Sequence, residues 1–106
     1  MRIAKVIGTV TLNRSHPSYR GARLRLVVPA TLAELVAQTE PAGEPLVAWD
    51  QLGAGLGSWI ALSEGPEAAQ PLRPTVVPIE AYVAAILDDL NLDVPLAKTL
   101  LEDASA

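Results

Sequence analysis

The feature that most restricts this chain is short-range alternation between apolar and polar positions, repeated in brief segments. In residues 2–12, Ala4, Val6, Gly8, Val10 and Leu12 fall on one side, and Ile3, Lys5, Ile7, Thr9 and Thr11 on the other. Such a period of two belongs to a β-strand, where successive side chains leave opposite faces of the backbone. "ARLRLVVP" repeats it, with Leu24, Leu26 and Val28 opposed to Arg23, Arg25 and Val27, and Pro29 ending the strand. "LVAWD" (46–50), "WIALS" (59–63) and "IEAYVAAIL" (79–87) are three further strand-sized runs. The alanines of the last also tolerate a helix, but Pro78 and the Asp88–Asp89 pair delimit a strand-length segment.

Two segments change period. Thr31 followed by Glu34 forms a capping box, and Leu32, Leu35 and Val36 share one helical face, which predicts a short helix over 31–39. "DVPLAKTLLED" reads as a second helix, with Asp93 as N-cap, Pro95 in the first turn and a Leu96/Leu100/Leu101 stripe. That stripe is expected to pack on its own or an adjacent subunit, or to serve as a handle for another protein. "NRSHPSYRG" and "EPAGEP" are connections, and the proline-rich 64–78 stretch covers the surface with one helical turn near 66–70. Five short strands, expected to be antiparallel and lacking any βαβ rhythm, point to a mainly β fold. They suggest a small closed or partly closed five-stranded barrel, because closure removes exposed edges. Residues 1–90 form the barrel domain, with the helical insertion near 31–39, and 91–106 a helical tail.

A chain of 106 residues is a single small domain, yet half of it is hydrophobic and its mean hydropathy is +0.29. Subunit contacts are the usual destination for that surplus, so a homo-oligomer is expected. A formal net charge of −4 disfavours nucleic acid and anionic membrane as partners. No run approaches a membrane span, and "MRIAKVIGTVTLN" is too short and too interrupted in its apolar part for a signal peptide. The absence of cysteine removes disulfides and thiolate nucleophiles and is compatible with a cytoplasmic location.

The glycine-rich "WDQLGAGLGSWIAL" raises the question of a nucleotide site. A dinucleotide loop needs G-x-G-x-x-G opening a helix; here the spacing is G-x-G-x-G and a strand follows. No Lys-Ser/Thr pair completes a P-loop either. The loop is therefore read as a tight connection needing positive φ and close backbone approach, with no cofactor. His16 is the only histidine, so no histidine metal cluster can form, and its loop carries no nucleophile-elbow signal. Asp88 and Asp89 point to opposite faces and, like nearby Glu80, read as solvated charge. Trp49 and Trp59 flank the glycine loop, but with 4% aromatics and no Phe they suit packing rather than base stacking. No catalytic, cofactor-binding or metal-ligating set emerges.

Several of these motifs recur together in one known pattern. Val6, Gly8, Thr9 and Val10; His16 and Pro17; Gly21 with Leu24 and Leu26; Asp50, Gly53, Ala54, Gly55 and Gly57; and Pro78, Ile79, Glu80 and Ala81 occur in that order. This set resembles the EutN/CcmL family of bacterial microcompartment vertex proteins over roughly residues 3–90. The chain departs from the pattern at Ser58, where the family usually has an acidic residue, and at "GPEAAQP", where it has a small-Ser-Ala-Arg run. The resemblance implies a small five-stranded OB-like β-barrel assembled as a structural pentamer that caps the corners of a carboxysome-like shell built from hexameric shell proteins. It implies no enzyme chemistry. On that reading Arg14, Ser15, His16 and Pro17 are candidates for a hexamer-facing rim, and Gly53, Ala54, Gly55, Gly57 and Ser58 for a loop at the subunit interface or five-fold axis. The competing class is an acidic OB-like binding module for an oligosaccharide or protein partner.

Overall fold

In the computed structural model, which describes residues 1–74 and 79–105, five strands close a barrel in the order β1-β2-β3-β5-β4. The strands are β1 (Arg2–Val10), β2 (Leu24–Pro29), β3 (Leu46–Trp49), β4 (Trp59–Glu64) and β5 (Ala81–Ile86). Four of the five pairings are antiparallel, as expected; the β3–β5 pair, through Trp49 and Tyr82, is parallel. The exception has a topological cause. An odd number of strands closed in a ring cannot alternate direction throughout, so one neighbouring pair must be parallel. β5 starts beside the end of β4, where Gly65 N–H donates to Glu80 O at 2.9 Å, and runs antiparallel to β4 and parallel to β3. Pro78, the expected start marker of β5, lies outside the described residues.

Alanines fill much of the barrel. Ala4, Val6, Val27, Ala48, Ala54, Ile60, Leu62, Ala81 and Val83 form the main core. A five-stranded barrel encloses little space, so small side chains suit its interior and large ones would not fit. This accounts for the lack of Phe in an otherwise apolar chain.

The alternation expected for β2 forms, with Leu24 and Val27 on opposite faces, and the core takes the Val27 side: Val27 is fully buried, whereas Leu26 is half-buried. The alternation expected for β1 does not hold along its length. Val6 pairs with Val27 but Gly8 pairs with Leu26, so β1 carries an extra residue at Ile7. That residue shifts Gly8 and Val10 to the face of Leu26 and Leu24, away from Ala4 and Val6. Ile7 itself is left 48% exposed.

A second apolar cluster sits on the other face of β2 and β3. Register places Leu24 opposite Trp49 and Val27 opposite Leu46, so Leu24 and Trp49 point away from the Val27 side. They are covered by Tyr19, Ala22, Leu72, Ile79 and Tyr82, with the Tyr19 and Trp49 rings stacked at 6.0 Å. Tyr19 belongs to a 3₁₀ turn, Pro17–Tyr19, in the first loop; Leu72 ends a 3₁₀ segment, Gly65–Leu72. The first loop and the Gly65–Leu72 segment are thus laid over the barrel wall.

Helix α1 (Leu32–Ala37) has the capping box its sequence announces: Glu34 N–H donates to Thr31 Oγ1 at 3.2 Å, and Thr31 N–H to Glu34 Oε1 at 2.9 Å. Such a cap stabilises a short helix by about 1 kcal/mol. Leu32, Leu35 and Val36 are its half-buried face. Helix α2 (Val94–Ser105) is capped by Asp93, whose Oδ1 accepts from Leu96 N–H at 3.1 Å. It packs against α1, but its inward face is Ala97, 6% exposed, and half-buried Leu101. Leu96 and Leu100, expected to share a packed stripe with Leu101, are instead 55% and 52% exposed. Ala97 and Leu101 are one turn apart, and the smaller alanine allows the close helix approach that a leucine would prevent.

Candidate functional site

The glycine loop is organised around the carboxylate that precedes it. Asp50 follows β3 and is 1% exposed. Its Oδ1 accepts from the amides of Leu52 at 2.9 Å and Gly53 at 3.0 Å; its Oδ2 accepts from Ala54 N–H at 2.7 Å and from Arg25 Nε at 3.0 Å. Arg25 is held in turn, because its Nη1 donates to Thr9 Oγ1 at 3.0 Å. Burial pushes the Asp50 carboxyl upward, but the Arg25 hydrogen bond and the three amides outweigh it and leave the group below the usual aspartate range. A loop whose amides already surround its own carboxylate has none of those donors left for a phosphate. That is the structural answer to the nucleotide question. The sequence did contain a signal for this role, since Asp commonly bonds backbone amides two to four residues on at turns.

Two of the loop's glycines are required by the local backbone. Gly53 and Gly57 have φ of +83° and +82°, where side chains bearing a Cβ are strained. Gly55 is not in that region, and a Cβ there would meet nothing closer than Ser58 Oγ at 3.9 Å. Between them Ala54 is fully buried and belongs to the barrel core, whereas Leu52 and Leu56 are 52% and 71% exposed. Ser58 locks the far end: Val6 N–H donates to Ser58 O at 2.9 Å, and Gly57 N–H to Val6 O at 2.8 Å. The loop is rigidly anchored while presenting two bare leucines.

The first loop is tied to the same place. Asp50 N–H donates to Arg23 O at 2.8 Å, and Arg23 Nη2 to Gln51 O at 3.1 Å. The roots of the two candidate segments, 14–17 and 53–58, are therefore joined through Arg23. Within the first loop His16 caps the 3₁₀ turn, its Nδ1 accepting from Ser18 N–H at 3.1 Å and lying 2.7 Å from Ser18 Oγ. This is a local structural task, and it leaves Arg14 and Ser15 exposed beside His16. A mostly apolar groove of about 310 Å³ runs next to them, lined by Val10, Leu12, Tyr19, Leu24, Val47 and Ile79.

The remaining candidates are separate from this region. Trp59 lies beneath Lys5, whose Nζ is 5.6 Å from the ring centroid and 2.7 Å from Glu40 Oε1. Asp89 caps its own turn through Leu90 N–H, and Asp88 is exposed. Both lie beyond β5, which ends at Ile86, so the expected separation onto opposite strand faces does not apply to them.

The whole molecule is less enclosed than its mass requires. It exposes 6928 Å², against roughly 5,700 Å² for a compact monomer of this mass. Its Cα radius of gyration is 15.4 Å, against about 13 Å for a compact chain of this length. The excess is partly apolar: Leu12, Val47, Leu52, Leu56, Leu96 and Leu100 are all more than a third exposed.

Comparison with known proteins places this geometry. The family described as Ethanolamine utilisation protein EutN/carboxysome matches residues 1–88. The carboxysome shell vertex protein CcmL of Synechococcus elongatus is 36% identical over 98 residues, covering 88% of this chain and 89% of CcmL. The bacterial microcompartment shell vertex protein EutN of Salmonella typhimurium is 32% identical over 91 residues, covering 85% and 86%. Among solved structures, Gloeobacter violaceus CcmL superposes with a TM-score of 0.76 at 32% identity, over 89% of this chain and 92% of that one. GrpN, a pentameric microcompartment shell protein from Rhodospirillum rubrum, gives 0.72 at 32% identity, over 87% and 99%. Matched over residues 1–88 and superposing on these solved structures over most of its length, this chain belongs to the EutN/CcmL family.

Proposed function

We propose that this chain is a structural vertex protein: five copies form a ring that caps a corner of a bacterial microcompartment shell whose facets are hexameric shell proteins. The likeness to pentameric GrpN over 99% of that chain carries this reading. The surplus apolar surface supports it, because ring closure among identical copies covers such area without leaving an open end. The mechanism is geometric. Hexagonal tiles alone extend as a flat sheet, and substituting a five-fold unit removes one wedge and forces the sheet to curve. No catalytic step is involved. Residues 1–90 supply the barrel and 91–106 its helical tail. Leu52 and Leu56 are oriented for subunit contact, with Gly53, Ala54, Gly55, Gly57 and Ser58 nearest the axis. Native mass spectrometry of the purified chain should show one predominant five-subunit species; a stable monomer would remove the vertex role and favour the OB-like binding module instead.

Arg14, Ser15, His16 and Pro17 form the rim that meets the hexamers. Arg14 is exposed and has no ion pair among the described residues, so its fork of donors is available to a neighbouring tile. Arg14→Glu should leave the pentamer intact and reduce the yield of closed shells on co-expression with hexameric tiles, as counted by electron microscopy. Undiminished closure would take the rim assignment away.

A further inference from the structure

Charge is distributed very unevenly along this acidic chain. The first carboxylate in the sequence is Glu34, and six of the eight Lys and Arg residues precede it. Three of those six are neutralised by later carboxylates: Arg2 by Glu64, Lys5 by Glu40 and Arg25 by Asp50. Arg14, Arg20 and Arg23 have no such partner among the described residues.

Arg23 and Arg25 line one open groove of about 330 Å³ together with Thr9, Thr11 and Ser15. Neighbours hold the cationic wall in position. Arg25 is braced by Asp50 at Nε and by Thr9 at Nη1, and Arg23 by Gln51 O at Nη2. Each guanidinium has five N–H donors, so both keep donors with no protein acceptor among the described residues. Arg25 is partly neutralised by the Asp50 carboxylate behind it. Arg23 therefore supplies most of the unbalanced positive charge.

We propose that this groove binds a small oxyanion of the phosphate class. Braced guanidinium forks match the paired oxygens of such an ion, and hydroxyl donors complete its shell. The groove is open and has one dominant cation, so the affinity is modest. All five groups come from a single subunit, so the site goes beyond the vertex reading and does not depend on five-fold assembly. A monomer that binds phosphate would sink the vertex reading alone, and a pentamer that does not would sink this one alone.

The test is calorimetric titration of the purified protein with sodium phosphate, with ionic strength held constant by chloride. Saturable binding is expected with a dissociation constant of roughly 1 mM, set by a few charge-assisted bonds in a solvated site. Arg23→Gln should weaken it by roughly tenfold, the loss of one ionic hydrogen-bonding group. Arg23 also supports the Gln51 carbonyl, so a second variant guards against misfolding. Thr11→Val combined with Ser15→Ala removes two hydroxyls that make no hydrogen bond essential to the fold, and should weaken binding by roughly threefold. Absence of saturable heat at constant ionic strength would overturn the proposal. So would unchanged affinity in the double hydroxyl variant or in folded Arg23→Gln.

Discussion

Asp50→Ala should lower folding stability by about 3 kcal/mol, the largest loss expected from any single polar side chain in this protein. Truncation strands three loop amides and leaves the Arg25 guanidinium, itself only 19% exposed, without its counter-charge. Asp50→Asn should lose less, because its amide oxygen still accepts from the loop, although the ionic bond to Arg25 is gone. The urea midpoint at neutral pH measures both. Acid provides an independent check. The folded carboxyl titrates below its ordinary value, so its contribution is complete above about pH 4 and is lost as pH falls through the folded value. Wild type and Asp50→Asn should therefore converge in stability as the pH falls below about 4 and through the folded value. An Asp50→Ala variant within 1 kcal/mol of wild type, or a gap that widens in acid, would show that the loop is held by something other than this carboxylate.

Gly55→Val should separate folding from assembly. Within one subunit the new side chain has room, since the nearest atom to its Cβ is Ser58 Oγ at 3.9 Å and the backbone is not in the left-handed region. The circular dichroism spectrum and melting temperature of the subunit should change little. On the proposed assignment, the same loop from every copy converges at the axis of a five-membered ring, where five valines would crowd in place of five hydrogens. The expected result is a folded protein that fails to form the five-subunit species in native mass spectrometry. Gly53→Val and Gly57→Val are the contrasting cases. Their φ values of +83° and +82° impose about 1–2 kcal/mol of backbone strain whatever the assembly state. A fully assembled Gly55→Val would move the loop away from the axis.

These two predictions rest on residues that the sequence revealed to different degrees. The glycine spacing and the strand after it were enough to reject a dinucleotide loop, because that chemistry needs a helix at a defined offset. They did not reveal that Asp50 fills the loop with its own carboxylate, a role that depends on Arg25 arriving from a strand 25 residues away. His16 illustrates the same limit at short range. That it is the single histidine was readable from the sequence, but its capping of the Pro17–Tyr19 turn needed the folded geometry.

Local rules settled the elements themselves. Alternation located the strands, the Thr31/Glu34 pair and Asp93 located the starts of both helices, and an apolar surplus in a small acidic chain pointed to self-association. Each is governed by residues within one or two turns of backbone, or by bulk composition, so no knowledge of distant contacts is needed. Tertiary structure alone decided the rest: the extra residue at Ile7 that moves Gly8 and Val10 off the face of Ala4 and Val6, the parallel β3–β5 closure, and the choice of Ala97 over Leu96 as the buried face of α2. Each depends on which of two nearly equivalent faces finds a partner across the fold, and a local pattern carries no information about the partner's shape.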